Sequence, residues 1–506
     1  MWFISAFFAS ALFLVGLYVY LTWHFDHWRK RGIPGPSPQV LVGTFPGTVL
    51  GNRSLIYDLD DIYKKFKGLA RFVGVFMTRK PQLLVLDPQL CKDILVGKFQ
   101  CFQDNESSKW MDRQREPISG SNPFVLPSSE WRTQRAEIVS GLTNIKIRNM
   151  YPIIDSIGTK LVQYLRNMAT SGEFDINAKE VSLRYTAEVV ADVVWGIETD
   201  NFKATSREHD STFFDMSKRM IAQTFRAFKY FFVAGIFPAI RSILYVRFFP
   251  EETDSFFLKL THFALQSRHQ SPIRNDFLQH MLELQRTRGL SDTEILAHQL
   301  TFHFDGFETS ATLISHCLLL LARNTDKQEQ LRAEIRDHMI ANSNVLDFPN
   351  LMKLPYLEQC VAETLRIFTP LPFMTKLCTK TCSFENTDGV NLTVQPGDVC
   401  MISLHSIHHD AEYYPQPEDF LPERFSQANG GTKKFKDMGI YMPFGDGPRI
   451  CLGMTFGLAQ TKAAIANIIM NFELTVNERT RKDNYQSAHG FITGLDGGIF
   501  LTLKGL

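Results

Sequence analysis

The stretch that decides the fold reads Phe444-Gly445-Asp446-Gly447-Pro448-Arg449-Ile450-Cys451-Leu452-Gly453. Ordinary packing does not require two glycines and an arginine around one cysteine. Gly445 and Gly447 allow a tight turn, because glycine adopts backbone conformations that other residues avoid. A cysteine that ligates a metal must stay deprotonated, and backbone N–H groups and the N-terminus of a following helix favour that negative charge. The stretch therefore predicts a pocket for a metal-bound thiolate at Cys451.

Two other interpretations of this stretch are weaker. A cysteine taken alone is most often a small buried hydrophobic residue. The two glycines also look like the start of a dinucleotide-binding fingerprint, but the third glycine of that pattern would fall at Ile450. Arg449, two residues before the sulfur, is placed to pair with a carboxylate of a bound ligand. Haem supplies such carboxylates through its propionates, and Phe444 would cover its ring near the sulfur.

The complete pattern resembles the haem-thiolate signature of the cytochrome P450 superfamily, and it matches at Phe444, Gly445, Gly447, Arg449, Cys451 and Gly453. The resemblance extends along the whole chain and is greatest to insect microsomal members. It implies haem b as the cofactor and the cytochrome P450 fold, preceded by an N-terminal transmembrane helix. Cys451 would be the iron ligand, with cofactor-binding positions at Phe444, Arg449 and Gly453.

Composition agrees with a large membrane-attached enzyme. With 506 residues, 44% hydrophobic content and 42 Phe, the chain can bury a substantial core and still keep apolar surface for a ligand pocket or a membrane. The net charge of +1 gives no sign of nucleic-acid binding. The eight cysteines form no disulfide framework, which favours free thiols in a reducing compartment.

Residues 1–25 predict a membrane anchor. They carry no Asp, Glu, Lys or Arg, and the run from Phe3 to Tyr20 is long and apolar enough to cross a bilayer as a helix. Basic residues follow at 29–31, and positive charge on that flank places the rest of the chain in the cytoplasm. A cleavable signal peptide is the competing interpretation, because Ala9-Ser10-Ala11 looks like a small-x-small site. No basic segment precedes the apolar run, however, which favours a retained anchor.

Prolines and glycines then predict an extended connector, since Gly32-Ile33-Pro34-Gly35-Pro36-Ser37-Pro38 cannot continue a helix. Behind an anchor, this segment resembles the proline hinge of microsomal family members. Such members reside in the endoplasmic reticulum membrane, with the catalytic domain on the cytosolic side. The predicted organisation is an anchor, a basic and proline-rich hinge and a haem-thiolate catalytic domain, at 1–25, 26–38 and 39–506.

Beyond the hinge, helical patterns outnumber short strand-like runs, so we expect a mainly α fold with small β-sheets. Strand signals cluster near the start of the body, as in 83–86, and again near Val394 to Ile402. A long helix is predicted from Ser291 to about Arg323, because Ser291 and the acids after it are typical of a helix start.

The middle of that helix reads Phe304-Asp305-Gly306-Phe307-Glu308-Thr309-Ser310-Ala311, where an acid and an alcohol lie side by side among apolar residues. Glu308 and Thr309 are predicted to be catalytic, holding water and relaying protons to the oxygen that the haem activates. The alternative is that Glu308 faces solvent and Thr309 bonds to a backbone carbonyl. The segment resembles the oxygen-activating helix of the family. Many members have a small residue where this chain has Asp305, which affects the oxygen groove and substrate choice.

Two further patterns acquire roles from the resemblance. Glu363 and Arg366 lie on one helical face, which alone predicts a surface ion pair worth less than about 1 kcal/mol. By resemblance to the family, Glu363, Arg366 and Arg424 are predicted to form a buried structural ion network.

Trp131 and Arg135 lie one helical turn apart, and both donate hydrogen bonds. The matching family residues reach a haem propionate, so both are predicted cofactor-binding residues.

Apolar residues are predicted to line the substrate pocket, by their position relative to the family. Because these side chains are apolar, a hydrophobic substrate follows. The Phe-rich and basic stretch from Phe225 to Phe249 fits two interpretations, contact with the bilayer surface or buried packing. The predicted pocket residues are Phe124, Phe304, Asp305, Leu371, Phe373 and Phe491.

The resemblance implies a monooxygenase that inserts one oxygen atom from O2 into lipophilic substrates, such as insecticides, plant toxins or hormones. Electrons would come from NADPH through NADPH-cytochrome P450 reductase, with cytochrome b5 and the lipid bilayer as further partners and no nucleic acid. One alternative is a haem-thiolate isomerase or dehydratase, which needs no reductase. Another is a non-catalytic haem-binding sensor. The pair Glu308-Thr309 argues against both, because neither activity uses a proton relay.

Overall fold

Helices form most of the structure, as the apolar residues at helical spacing predict. The structure, a computed structural model, describes residues 2–109, 111–169, 172–199, 201–202, 212–270, 272–385, 389, 391–488 and 491–506. The described α-helices are, in chain order, α1 (Trp2–Thr22), α2 (His27–Lys30), α3 (Pro46–Val49), α4 (Leu55–Phe66), α5 (Pro88–Lys92), α6 (Ser128–Ser140), α7 (Asn144–Met168), α8 (Ala178–Val190), α9 (Thr212–Ile236), α10 (Ile240–Ile243), α11 (Glu251–His269), α12 (Phe277–Arg288), α13 (Asp292–Arg323), α14 (Thr325–Ala341), α15 (Phe348–Lys353), α16 (Pro355–Ile367), α17 (Leu404–His408), α18 (Gly431–Asp437) and α19 (Met454–Asn471).

The described strands form three small sheets, with the orders β1-β2-β7-β4, β3-β9-β8 and β5-β6. Strands β2 and β7 run parallel, with Leu84 opposite Met401, and the other neighbours run antiparallel. The strands are β1 (Phe72–Met77), β2 (Lys80–Val85), β3 (Glu173–Asn177), β4 (Phe373–Leu377), β5 (Cys382–Glu385), β6 (Asn391–Val394), β7 (Val399–Ser403), β8 (Phe472–Val476) and β9 (Phe500–Gly505).

Helix α13 runs through the core and packs against α8, α11, α16 and α19. It begins where the sequence predicts. The Ser291 hydroxyl accepts the Glu294 N–H at 3.3 Å, and the Glu294 carboxylate accepts the Ser291 N–H at 2.8 Å, which completes a capping box. Every residue from 310 to 322 is buried, so tertiary packing fixes the rotation of this helix about its axis.

Helix α1 has 21 residues and a mean hydropathy of 2.1, and it is long and apolar enough to cross a membrane. The connector after it lies against the body of the protein. The Gly74 N–H donates to the Pro34 carbonyl at 2.8 Å, and the Trp28 indole N–H donates to the Val75 carbonyl at 3.1 Å. The connector is therefore held to β1 over part of its length.

The predicted fold class is confirmed, since the structure is mainly α with small sheets and one apolar N-terminal helix. The two predicted strand regions correspond to β2 and to β6 with β7. All eight cysteines are free, as expected.

Candidate active site

The segment around Cys451 is a turn built from backbone contacts. Gly445 and Gly447 have φ values of 73° and 69°, a region that favours glycine. A Cβ atom at Gly447 would lie 2.1 Å from the Leu95 carbonyl oxygen, so the turn passes too close to that backbone for any side chain. The Cys451 N–H donates to the Phe444 carbonyl at 2.9 Å, and α19 begins at Met454. The two glycines thus have the role that the sequence predicts.

Cys451 is exposed and lines a large, partly open cavity. Enclosure by the surrounding protein raises the pKa of the thiol to about 11, with a further upward contribution from Asp305. A hydrogen bond from the Gly453 N–H and the charge of Arg135 act in the opposite direction. Without a cation the sulfur keeps its proton, and a metal ion bound there would displace it.

The cavity encloses about 1830 Å³ of empty space, counted with its opening. The cysteine turn forms one wall and α13 forms another. A Cβ atom at Gly453 would meet no atom within 4 Å, so this residue also borders open space beside the sulfur. Phe444 lines the same wall. The remaining walls come from β4, from the segment 119–126, and from residues on α6 and near the C-terminus.

On α13, Asp305, Gly306 and Thr309 line the cavity. The Thr309 hydroxyl donates to the Asp305 carbonyl at 2.5 Å, which is the backbone-bonded alternative considered from the sequence. The Gln460 side chain donates to the Gly306 carbonyl at 3.0 Å and holds this turn of the helix from behind. Burial raises the pKa of the Asp305 carboxyl to about 7, partly offset by a hydrogen bond from Asn122.

Glu308 does not line the cavity. It is buried and forms an ion pair with Lys179 of α8, with 2.9 Å between the Lys179 Nζ and a carboxylate oxygen. This arrangement differs from both sequence-based interpretations, because Glu308 faces neither solvent nor the cavity. The packing of α13 on α8 turns it toward Lys179, and its part in a proton relay stays a prediction.

A cluster of hydrogen-bond donors lies at one end of the cavity. Arg449 donates to the carbonyls of Gln103, Pro123 and Leu126 at 2.8, 2.7 and 3.1 Å, and its guanidinium carbon lies 4.2 Å from the centre of the Trp131 ring. Burial lowers the pKa of Arg449 to about 10.

Arg135 donates to the Ile450 carbonyl at 2.7 Å and also lines the cavity. The Trp131 indole nitrogen is buried and has no hydrogen-bond partner among the described residues. A buried donor without an acceptor is costly. The cluster therefore fits a ligand that carries carboxylates, as the two haem propionates would require.

Lys376 on β4 belongs to this cluster, and the sequence analysis missed it. It is buried, it lines the cavity, and its Nζ donates to the Asn105 side-chain oxygen at 2.9 Å. Burial, together with the charge of Arg449, lowers the pKa of its ammonium to about 7, although Asp104 acts in the opposite direction. An anionic ligand would reverse this effect. The available signal was a lysine in the short strand Phe373–Leu377, which carries no other charged residue.

Glu363, Arg366 and Arg424 come together away from the cavity surface. Arg366 donates twice to Glu363, both at 2.8 Å, and the side chains of this pair have no exposed surface. Arg424 donates to Glu363 at 3.1 Å. Arg366 also donates to the His408 carbonyl at 2.9 Å, which links α16 to the end of α17. This geometry is that of a structural network.

Five of the six predicted pocket residues line the cavity, and Phe304 is the correction. The Phe304 ring packs against Phe248 and Phe249, with ring centres 5.8 and 5.3 Å apart. One step along a helix turns a side chain by about 100°, so Phe304 points away while its neighbour Asp305 faces the cavity. The residues that line it as predicted are Phe124, Asp305, Leu371, Phe373 and Phe491.

Comparison with known proteins agrees with this geometry. The family model for Cytochrome P450 matches residues 33–500. The relatives include "Probable cytochrome P450 28d1" of Drosophila melanogaster, 40% identical over 98% of both chains, and "Probable cytochrome P450 28a5" of the same species, 38% identical over 97% of both. "Probable cytochrome P450 309a2" of that species is 35% identical over 92% of this chain and 86% of its own. A thiol that lines a largely apolar cavity, with a cluster of hydrogen-bond donors at one end, fits the same conclusion: the chain belongs to the cytochrome P450 family of haem-dependent monooxygenases.

Proposed function

We propose that this chain is a membrane-bound monooxygenase that inserts one oxygen atom from O2 into lipophilic substrates, with electrons from NADPH delivered by a reductase. The observation that carries this proposal is the placement of Cys451 and Thr309 on facing segments of one largely apolar cavity. The proposed iron ligand and the proposed proton donor would therefore share one space.

The cysteine wall would hold the cofactor. Cys451 would ligate the iron, while Trp131, Arg135, Arg449 and Lys376 would receive the propionates. Phe444 and Gly453 border the place of the ring beside the sulfur. When bound, the haem supplies the activation of dioxygen that no side chain provides.

Residues of α13 would supply protons to the reaction. The Thr309 hydroxyl now donates to the Asp305 carbonyl, and rotation about its χ1 angle would turn the same hydroxyl into the cavity. Glu308 is the residue before Thr309, on the face of α13 that points away from the cavity, and its ion pair with Lys179 fixes its orientation. We propose that Thr309 passes protons to the reaction and that Glu308 replenishes them through water.

The cavity lining favours a lipophilic substrate, because aromatic and aliphatic side chains form most of it. Candidate substrates are xenobiotics such as insecticides or plant toxins, and hormones of similar polarity.

Contacts of α1 support a membrane-bound arrangement. The Tyr20 hydroxyl donates to the Ile236 carbonyl at 2.9 Å, and the Tyr20 and Phe237 rings stack with centres 5.9 Å apart. Apolar side chains near this contact are exposed, including Ile243 at 86% and Leu244 at 52%. We propose that they share the bilayer of the endoplasmic reticulum with α1, and that the positive flank after α1 keeps the catalytic body in the cytosol.

The test is reconstitution of the full-length, haem-loaded chain in lipid with NADPH-cytochrome P450 reductase, with and without cytochrome b5. A panel of lipophilic compounds is offered under isotopically labelled dioxygen. We expect NADPH-dependent product that contains one labelled oxygen atom, and none without reductase. Rearrangement of peroxides without reductase would identify an isomerase instead, and the absence of any NADPH oxidation would identify a sensor.

A further inference from the structure

The Asp305 side chain places a carboxyl group in the wall of an otherwise largely apolar cavity. In the part of the chain that the structure describes, no lysine or arginine forms an ion pair with it, and burial and the Asn122 hydrogen bond alone account for its perturbed pKa. A carboxylate in largely apolar surroundings is costly when it has no cationic partner. Among the described residues, the protein side of the cavity therefore gives Asp305 a neutral donor and no cationic partner.

The hydrogen bonds around Asn122 explain why the protein gives Asp305 only one neutral donor. The Asn122 Oδ1 accepts the Phe124 N–H at 2.7 Å, so its NH2 group is the end that faces Asp305. The Phe124 carbonyl accepts the Asn105 NH2 group at 2.9 Å, and the Asn105 Oδ1 accepts the Lys376 ammonium at 2.9 Å. The side-chain oxygen and the NH2 group of Asn105 and of Asn122 each take part in a hydrogen bond, so the orientation of both amides is fixed.

All members of this chain of hydrogen bonds line the cavity. The chain begins at a cation on β4 and ends at an acid on α13, and the direction of each bond is set by its neighbours. A carboxylate accepts several hydrogen bonds, and Asn122 uses one of these sites. The remaining acceptor capacity of Asp305 is available to a ligand.

We propose that Asp305 is a specificity-determining residue that selects lipophilic substrates carrying a positively charged nitrogen. This inference names the substrate class for the proposed monooxygenase and rests on that function. A cationic nitrogen supplies the charge that the protein does not place beside Asp305, and the apolar lining receives the rest of the molecule.

The two charged ends of the cavity would bind ligand groups of opposite charge. Lys376 and Arg449 lie in the donor cluster that fits carboxylates and are held by Asn105 and by backbone carbonyls. A cation is disfavoured there, and Asp305 on α13 attracts it instead. An anionic substrate would meet the Asp305 carboxylate inside an apolar enclosure and is selected against.

The test compares three ligands that share one arylalkyl body and end in a trimethylammonium, a tert-butyl or a sulfonate group. A quaternary nitrogen has no lone pair, so it cannot ligate the iron directly. Affinities of the haem-loaded, full-length protein are measured by equilibrium dialysis. In the wild type, we expect the ammonium compound to bind at least about tenfold more tightly than the sulfonate.

The variant Asp305→Asn keeps the shape of the side chain and removes its charge. We expect the ratio of ammonium to tert-butyl affinity to fall by about tenfold or more in this variant. Asp305→Glu should retain most of the ratio. Asp292→Asn removes the same charge from the first turn of α13, distant from the cavity, and should leave the ratio unchanged.

Equal affinity of the wild type for the ammonium and the sulfonate would overturn the inference without any variant. An unchanged ratio in Asp305→Asn would overturn it as well. The underlying function is measured separately, as NADPH-dependent oxygenation of the tert-butyl compound. Oxygenation without charge discrimination would refute only the role of Asp305, whereas discrimination without oxygenation would refute only the monooxygenase proposal.

Discussion

The two principal walls of the cavity are built in different ways. On the cysteine wall, backbone groups determine the geometry, with Gly447 against the Leu95 carbonyl and Arg449 bonded to several carbonyls. On the α13 wall, the helix is regular, and the side chains of Asp305 and Thr309 determine what faces the cavity. The first construction tolerates little change and suits an invariable cofactor. The second can change one side chain at a time and suits selection of substrates.

The two walls should therefore respond differently to substitution. Substitutions on the cysteine side and its supporting network should reduce folding and haem retention together. Substitutions on the α13 wall should leave both intact and change coupling or substrate choice.

The largest effect on stability is expected for Arg366→Met, which leaves Glu363 charged and without its main partner. Removing one member of a fully buried ion pair costs about 3–5 kcal/mol. We expect a loss of this size in the free energy of unfolding, measured by urea denaturation, together with a large fall in haem content.

The matched control is Lys433→Met, which breaks the pair of Lys433 with Asp437. The side chains of that pair are 85% and 61% exposed, against 0% for Arg366 and Glu363. We expect no measurable change in unfolding for the control. Equal effects of the two variants would show that the buried network does not support the cysteine side.

A loss of stability smaller than that of Arg366→Met is expected for Gly447→Ala. Its matched control is Gly445→Ala. Both glycines have positive φ, but a Cβ atom would lie 2.1 Å from a backbone oxygen at 447 and no closer than 3.9 Å to any neighbour at 445. Overpacking at 447 should therefore cost about 1–3 kcal/mol more than the shared backbone strain. Haem retention and urea unfolding measure the difference, and equal behaviour of both variants contradicts the close approach.

On the other wall, Thr309→Ala should preserve haem content and stability but raise hydrogen peroxide several-fold per NADPH consumed. If the Thr309 hydroxyl donates protons as proposed, its loss would divert electrons from product to peroxide. The measurement compares NADPH oxidation, peroxide and product in the reconstituted system. Thr224→Ala is the control, because the Thr224 hydroxyl donates to the Met220 carbonyl four residues earlier in the same way and does not line the cavity.

A second pair of variants distinguishes proton supply by Glu308 from the structural effect of its ion pair with Lys179. Glu308→Gln and Lys179→Met break the same contact from its two ends. If Glu308 supplies protons, only Glu308→Gln reproduces the loss of coupling. A similar loss in both variants would assign Glu308 a structural function.

The smallest effect is expected for Trp131→Phe, which removes the buried indole N–H and keeps an aromatic ring beneath Arg449. A hydrogen bond to a charged acceptor is worth about 1.5 kcal/mol, so haem dissociation should accelerate by about tenfold. Transfer of haem to an apoprotein acceptor measures this rate. Trp195→Phe loses an indole bond to Thr261 outside the cavity lining and should not change it.

Local sequence predicted the features that depend on local chemistry. The glycines around Cys451 adopt backbone conformations that favour glycine, and the Ser291 cap accepts a backbone N–H of the first turn of α13. Both features were therefore identified from a few neighbouring residues. The apolar run of α1 was equally visible.

Tertiary packing decided the features that the sequence did not reveal. Asn105, Asn122 and Lys376 become one hydrogen-bonded chain only when three separate segments meet. Phe304 and Glu308 are four residues apart and lie on the face of α13 that points away from the cavity, and the rotation of that helix is set by its burial against α8 and other helices. The helical pattern alone does not fix this rotation.

The most direct test of the account is the absorption spectrum of the reduced, carbon monoxide-bound protein, recorded for the wild type and for Cys451→Ser. If Cys451 binds the haem iron as a thiolate, the wild type gives the red-shifted band that is characteristic of thiolate ligation, and Cys451→Ser lacks it. A wild-type spectrum typical of a nitrogen ligand, or a thiolate-type spectrum that survives in Cys451→Ser, would contradict the account.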